Sequence, residues 1–307
     1  MNRRAVLIAG PTASGKSALA LDLARRLGGA LVNADSMQVY RDLRVLTARP
    51  TQEEEELAPH ILFGHVDGGV NYSVGRWRDD LRAVLDDLEQ RGLTPVIVGG
   101  TGLYFKAALQ GLSDIPAVPD EVRAKVRRDA QGRTPQELHA RLSERDPETA
   151  RRLRPTDPQR ILRALEIFEA TGKPLSSFHG ARQAPLLDAT HCTALFIAPD
   201  RAELFARIDA RFDKMIASGA LDEIRALRDR AFDPALPVMR AHGAPHLLEH
   251  LDGRLSLEDA IARAKADTRQ YAKRQFTFAR HQLPGFRWLA GGEAKREALA
   301  ILNARRA

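Results

Sequence analysis

The residues Gly10-Pro11-Thr12-Ala13-Ser14-Gly15-Lys16-Ser17 fill every fixed position of the pattern G-x-x-x-x-G-K-[ST]. In such a loop, successive backbone N–H groups point at one anion. The N-terminus of the following helix adds about half a positive charge and Lys16 a whole one, while Ser17 can ligate Mg²⁺. The expected ligand is a di- or triphosphate, and the loop alone does not say whether phosphate is cleaved, transferred or lost as a leaving group. Asp35 ends the next apolar run, Ala30 to Asp35. There it can act as a base or hold Mg²⁺. Thr101, in the turn Gly99-Gly100-Thr101-Gly102, offers a hydroxyl to the same crevice. Arg207 and Arg211 lie one helical turn apart on one face, and Arg160 and Arg163 lie three apart on one face, where they can clamp phosphate. Thr268 to His281 interleaves Arg269, Lys273, Arg274 and Arg280 with aromatic residues, a pattern suited to a nucleic-acid backbone.

The elements that must position these groups alternate. Val6 to Ala9 reads as a buried strand, followed by a helix with Ala20, Leu23, Ala24 and Leu27 that stops at Gly28-Gly29. Leu81, Val84, Leu85 and Leu88 predict a helix over 79–91, and Pro95 to Val98 and Ala194 to Ile197 read as further strands. Asp200 caps the helix carrying Arg207 and Arg211, and Ser256 starts a long one that runs to Gln282. Strands alternating with helices predict an α/β fold, a P-loop NTPase-like parallel sheet flanked by helices. From Pro116 strand signals vanish and helical segments opened by Pro119, Pro135, Pro147 and Pro158 follow. Residues 115–185 are therefore expected to form an all-helical insertion into a core of residues 1–114 and 186–307, and the chain after Ala194–Ile197 is expected to be helical throughout. The acidic run Glu53 to Glu56 is expected to start a short helix or a solvated loop at the surface and to hold no metal, because consecutive carboxylates cannot converge.

The chain of 307 residues is 44% hydrophobic, enough for a sizeable core. Its single cysteine, Cys192, excludes an intramolecular disulfide and points to a cytoplasmic protein. No apolar run reaches 18 residues, so no membrane partner is expected. The net charge of +7 is concentrated: Arg263 to Arg287 holds seven basic residues and one acid. Three function classes remain open on these residues: an enzyme that joins a diphosphate donor to RNA, a small-molecule P-loop kinase, and an RNA-binding module that only senses nucleotide.

The ordered set GPTASGKS (Gly10 to Ser17), NADSMQVY (Asn33 to Tyr40), VGGTGLY (Val98 to Tyr104), DPQRILRALE (Asp157 to Glu166), RIDARFDKM (Arg207 to Met215) and TRQYAKRQ (Thr268 to Gln275) resembles the bacterial tRNA dimethylallyltransferase (tRNA isopentenyltransferase) family over almost the whole chain. The resemblance implies transfer of a dimethylallyl group from dimethylallyl diphosphate to N6 of the adenosine 3′-adjacent to the tRNA anticodon, with Mg²⁺ and release of diphosphate. It implies that Gly10 to Ser17 hold the diphosphate, helped by Arg160 and by one of Arg207 and Arg211. Asp35 would accept the N6 proton and Thr101 would orient a reacting group. Asp35, Ser36, Met37, Gln38, Thr101, Arg123, Gln159, Arg160, Ile161, Leu162 and Arg163 would line the tRNA contact, and a monomer is expected. Leu46-Thr47-Ala48-Arg49-Pro50 stands where the family often has GTAKP, Ala241-His242-Gly243 where it has Ile-Gly-Tyr, and Thr277-Phe278 where it has Thr-Trp.

Overall fold

The computed structural model describes residues 3–178, 180 and 182–304. Contacts divide the chain into two compact units, one made of the segments before Gly111 and after Ala184, the other of Gly111–Ala184. The first half of the larger unit runs β1 (Ala5–Ala9), α1 (Lys16–Leu27), β2 (Gly29–Asn33), α2 (Gln52–Leu57), β3 (His60–Ile61), α3 (Val74–Gln90), β4 (Thr94–Gly99) and α4 (Gly102–Gln110). The smaller unit contributes α5 (Asp120–Asp129), α6 (Pro135–Arg145), α7 (Pro147–Arg152) and α8 (Pro158–Thr171). The chain then returns with β5 (Cys192–Ala198), α9 (Arg201–Ala217), α10 (Ala220–Asp229), α11 (Ala244–Leu251), α12 (Leu257–Gln282), β6 (Arg287–Ala290) and α13 (Ala294–Ala304).

The six strands form one parallel sheet in the order β3-β2-β4-β1-β5-β6. The strand that feeds the glycine loop is therefore central, and both faces of the sheet are covered, as an all-parallel sheet requires. Alternation along β1 separates the two layers. Ala5, Leu7 and Ala9 pack with α3, α4 and the end of α12, whereas Val6 and Ile8 pack with α1 and α13. A third cluster joins Val39, Tyr40, Leu43 and Leu46 to α9, α10, α11 and the first half of α12.

Capping follows the sequence signals. Asp200 accepts from Ala202 and Glu203, Ser256 from Asp259, and Asp157 from Arg160. Pro135, Pro147 and Pro158 occupy first-turn positions. Pro119 instead is the residue before α5. Of the two forms open to the acidic run, it takes the short helix, because Thr51 and Glu54 make a reciprocal capping box. Two expectations need correction. The helix expected over 79–91 runs Val74–Gln90, starting five residues earlier because Ser73 caps it. The last part of the chain is not wholly helical, since Arg287–Ala290 adds an edge strand in which Leu289 is the one fully buried residue.

The helical unit has its own core of Val126, Leu138, Leu142, Ala150, Ile161, Ala164 and Leu165. Glu166 is buried there with the guanidinium groups of Arg127 and Arg163 at 3.3 and 3.6 Å. Among the described residues, no helix is long and apolar enough to cross a membrane.

Trp77 is fully buried, stacks on Tyr104 at 4.3 Å and donates its indole N–H to the carbonyl of Asn33 at 2.8 Å. Trp77→Phe leaves that carbonyl unpaired and is expected to lower stability by about 1–3 kcal/mol, read as a lower denaturant midpoint with an unchanged slope.

Candidate active site

The glycine loop leaves β1 and is bent so that its N–H groups can converge. Ala13 is left-handed at φ 62° and Gly15 at φ 86°, a conformation that only glycine adopts without strain. Not every N–H of the motif faces an anion. Thr12 donates its N–H to Oε1 of Gln275 at 3.0 Å, and Ser14 directs its own at the Pro11 carbonyl at 3.3 Å. Gly10, Pro11, Thr12 and Ser14 therefore shape the loop. The N–H groups of Ala13, Gly15, Lys16 and Ser17 have no such partner among the described residues. The Ser14 hydroxyl is buried and lies 2.8 Å from where a Cβ on Gly10 would be, so it points back under the loop.

Lys16 Nζ donates to the Pro11 carbonyl at 3.2 Å. Burial lowers its pKa from the ordinary value to about 8, with Asp35 opposing the shift and Arg211 adding to it. Arg211, from α9, donates to the Thr12 hydroxyl. Burial lowers its pKa too, and Asp35 opposes that shift. Arg207 faces away: it is exposed and paired with Glu203 on its own helix. Of the two arginines one turn apart, only Arg211 reaches the loop. Ser17 is exposed at the start of α1, and its hydroxyl has no partner among the described residues.

Asp35 lies two residues past the end of β2. Asn33, fully buried, accepts the Asp35 N–H at 2.8 Å and donates to the Asp35 carbonyl at 2.9 Å and to the Leu62 carbonyl at 3.1 Å. One Asp35 oxygen accepts the Met37 N–H at 3.0 Å. Thr101 accepts the Ser36 N–H at 2.9 Å and donates to the Ser36 hydroxyl at 3.2 Å. The two strand ends are thus laced into one wall. A cavity of about 60 Å³ beside it is lined by Thr12, Asp35, Arg211 and Tyr271, with Leu46, Phe212 and Met215 among its apolar residues. A larger cavity of about 520 Å³, also lined by Arg211, has Ser17, Gln38, Arg44 and Arg49 on its walls.

Tyr271, Gln275 and His242 complete the site, and reasoning from residue types did not select them. Tyr271 is held as a neutral phenol, because burial and then the Asp35 charge push its pKa up. The His242 ring lies against Tyr271 at 4.0 Å, tilted by 38°, and burial lowers its pKa, so the ring is neutral at pH 7. The i, i+4 spacing of Tyr271 and Gln275 was the available signal, obscured by the basic residues between them.

Several candidate RNA-contact residues have other employment. Gln38 spends its amide on the Thr47 and Ala48 carbonyls at 2.9 and 2.8 Å. Ile161 is fully buried in the helical unit's core and so cannot line an RNA surface. Leu162 is packed against that same core. Arg123 is bound to Asp120 at 2.6 Å, and Arg160 is exposed with Asp157 at 3.4 Å. Gln159 is exposed, and Arg163 is held by Glu166. On α12, Arg269 is bound by Asp209 at 2.6 Å and Lys273 lies over Phe205, so the stripe shared by Arg269, Lys273 and Arg280 is partly a helix–helix interface. Arg274 and Arg280 are the exposed members, above the rings of Tyr271 and Trp288.

Comparison with known proteins gives this arrangement its relatives. The sequence profile of the IPP transferase family matches residues 38–282, and that of isopentenyl transferase matches residues 3–64. The chain belongs to the tRNA dimethylallyltransferase family. It is 62% identical to the tRNA dimethylallyltransferase of Methylocella silvestris over 96% of this chain and 98% of that one. It is likewise 62% identical to that of Beijerinckia indica over 97% and 99%. Among solved structures it is similar to a eukaryotic dimethylallyltransferase acting on tRNA, with a TM-score of 0.82 and 31% identity over 98% of this chain and 79% of that one. The tRNA isopentenylpyrophosphate transferase of Bacillus halodurans gives a TM-score of 0.70 at 32% identity over 98% and 96%. The fold expected from the strand and helix pattern is that of the family, and the relatives do not favour a kinase.

A bound anion favours the charged form of Lys16, which below pH 8 is already charged. Diphosphate binding is therefore expected to take up close to one proton at pH 9 and almost none through Lys16 at pH 6.5, with affinity falling as pH rises through 8. Calorimetry in buffers of different ionisation enthalpy measures the uptake, and Lys16→Met is expected to abolish the part that belongs to the lysine.

Proposed function

We propose that this protein transfers a dimethylallyl group from dimethylallyl diphosphate to N6 of the adenosine 3′-adjacent to the anticodon of tRNA. The observation that carries the reading is the small cavity in which an apolar wall of Leu46, Phe212 and Met215 meets Asp35, Arg211 and the phosphate loop. That lining suits an anion with a short hydrocarbon tail beside a group able to take a proton.

The exocyclic amine of adenine is a weak nucleophile, so the reaction needs help at both ends. As the allylic carbon–oxygen bond breaks, its electron pair goes to the diphosphate. The N–H groups of Ala13, Gly15, Lys16 and Ser17, with the side chains of Lys16 and Arg211, oppose that charge. The N6 lone pair bonds to the same carbon, and Asp35 accepts the proton that nitrogen loses. Thr101, fixed against Ser36, orients the acceptor beside Asp35. The residues fit Mg²⁺: Ser17 offers a free hydroxyl next to Lys16, and the ion is commonly held by few protein ligands plus substrate phosphates. When bound there, it would neutralise charge on the leaving group.

The acceptor base must leave its stack, and Arg274 and Arg280 supply exposed positive charge for the backbone of the loop. A monomer acting in the cytoplasm fits this reading.

Purified protein, labelled dimethylallyl diphosphate and bulk tRNA are expected to yield prenylated adenosine by mass spectrometry of the digested nucleosides, and label that stays with a small metabolite would sink the reading. Asp35→Ala is expected to lose at least about 100-fold in transfer, the range of one acid–base group, while diphosphate binding survives. Equal loss of binding and transfer would make Asp35 a metal ligand instead.

A further inference from the structure

Gln275 is buried on the inner face of α12 and uses both ends of its amide on backbone from two separate loops. Oε1 accepts the Thr12 N–H of the phosphate loop at 3.0 Å, and Nε2 donates to the Gly100 carbonyl in the turn after β4 at 2.9 Å. A buried primary amide is costly unless both ends are satisfied, so this side chain fixes how far apart the two loops stand. The turn is shaped to receive it: a Cβ on Gly100 would lie 2.2 Å from Nε2. The helix comes close enough because Ala264, Thr268, Ala272 and Ala279 line the rest of its buried face.

Resting on the reaction proposed above, we infer that Gln275 is a positioning residue that braces the donor's phosphate loop against the acceptor turn carrying Thr101. Lys16, Arg211 and the free N–H groups of the loop act on the leaving group without it. What the brace supplies is alignment of N6 with the carbon under attack. A misplacement of about 1 Å between two reacting centres can cost on the order of 100-fold. Loss of the brace therefore slows transfer while leaving ionisation of the donor assisted, and water takes the place of N6. The carbon–oxygen bond breaks with its electrons on diphosphate, water oxygen bonds to the carbon, and its proton goes to solvent, giving dimethylallyl alcohol.

Gln275→Met keeps the length of the side chain and removes both hydrogen bonds. Rates are counted per diphosphate-binding site, determined by calorimetry, so that unfolded protein does not enter. Transfer to tRNA is expected to fall about 10- to 100-fold, KM for each substrate to change less than about threefold, and the ratio of alcohol to prenylated tRNA to rise. Gln275→Glu keeps the acceptor for Thr12 and sets a second acceptor against the Gly100 carbonyl, and is expected to raise the same ratio. An unchanged ratio with unchanged transfer per site overturns the brace alone. A loss of transfer explained entirely by fewer binding sites makes Gln275 only a packing residue and also overturns it. If the unmodified protein transfers nothing, the reaction and the brace fall together.

Discussion

The reaction end of the molecule depends on how closely the ends of β2 and β4 approach. A Cβ on Gly99 would lie 2.1 Å from the Ala34 carbonyl oxygen, so only glycine permits the approach. In return the two chain segments bond directly: Ala34 donates to Val98 at 2.7 Å, and Thr101 donates back to Ala34 at 3.1 Å. Asp35 and Thr101 are brought side by side by backbone pairing, not by attraction between their side chains. Their geometry is therefore set before any substrate arrives, the condition under which fixed groups stabilise a transition state at no cost in reorganisation.

Electrostatics couples the two halves of that wall. Burial disfavours the charges on Lys16 and Arg211, and Asp35 is the group that favours both. On the proposed reaction, an arriving diphosphate would take over this supporting role and free Asp35 from being needed as a counter-ion. A proton placed on Asp35 would then leave the two cations to the anion alone, so deprotonation of the acceptor and grip on the leaving group would act in the same direction. The neutral phenol of Tyr271 and the neutral ring of His242 border the cavity without adding charge that would disturb this balance.

Much of this was legible in the chain. The loop from Gly10 to Ser17 and the apolar runs of β1, β2, β4 and β5 announce a parallel sheet, because fully buried strands read as continuous hydrophobic stretches. The edges were not legible: β3 has two residues, and β6 buries one residue fully, too little pattern for a period of two to show. Asp35 and Thr101 stand out because strand ends are where such sheets bind ligands. Tyr271 and Gln275 do not stand out, since an inward-facing polar residue on a long basic helix looks like any other polar residue until its partners are known. Ile161 shows the converse failure: carried along inside a short basic motif, it is the motif's buried face.

The basic stretch on α12 holds the other lesson, about what a charge count measures. Lys265 and Arg269 are bound to Asp213 and Asp209 of α9 at 2.6 Å each, so part of the positive charge that points to RNA is consumed in joining two helices. Those two helices converge on one residue, since α9 sends Arg211 to the Thr12 hydroxyl and α12 sends Gln275 to the Thr12 N–H. Leu204 and Ile208 of α9 pack on Ala272 of α12, with the ion pairs at the border of that contact, and Thr12 is held from two sides. The exposed arginines and the side chain that reaches the phosphate loop stand on one helix, α12, so the proposed grip on RNA and the proposed grip on diphosphate share a single element.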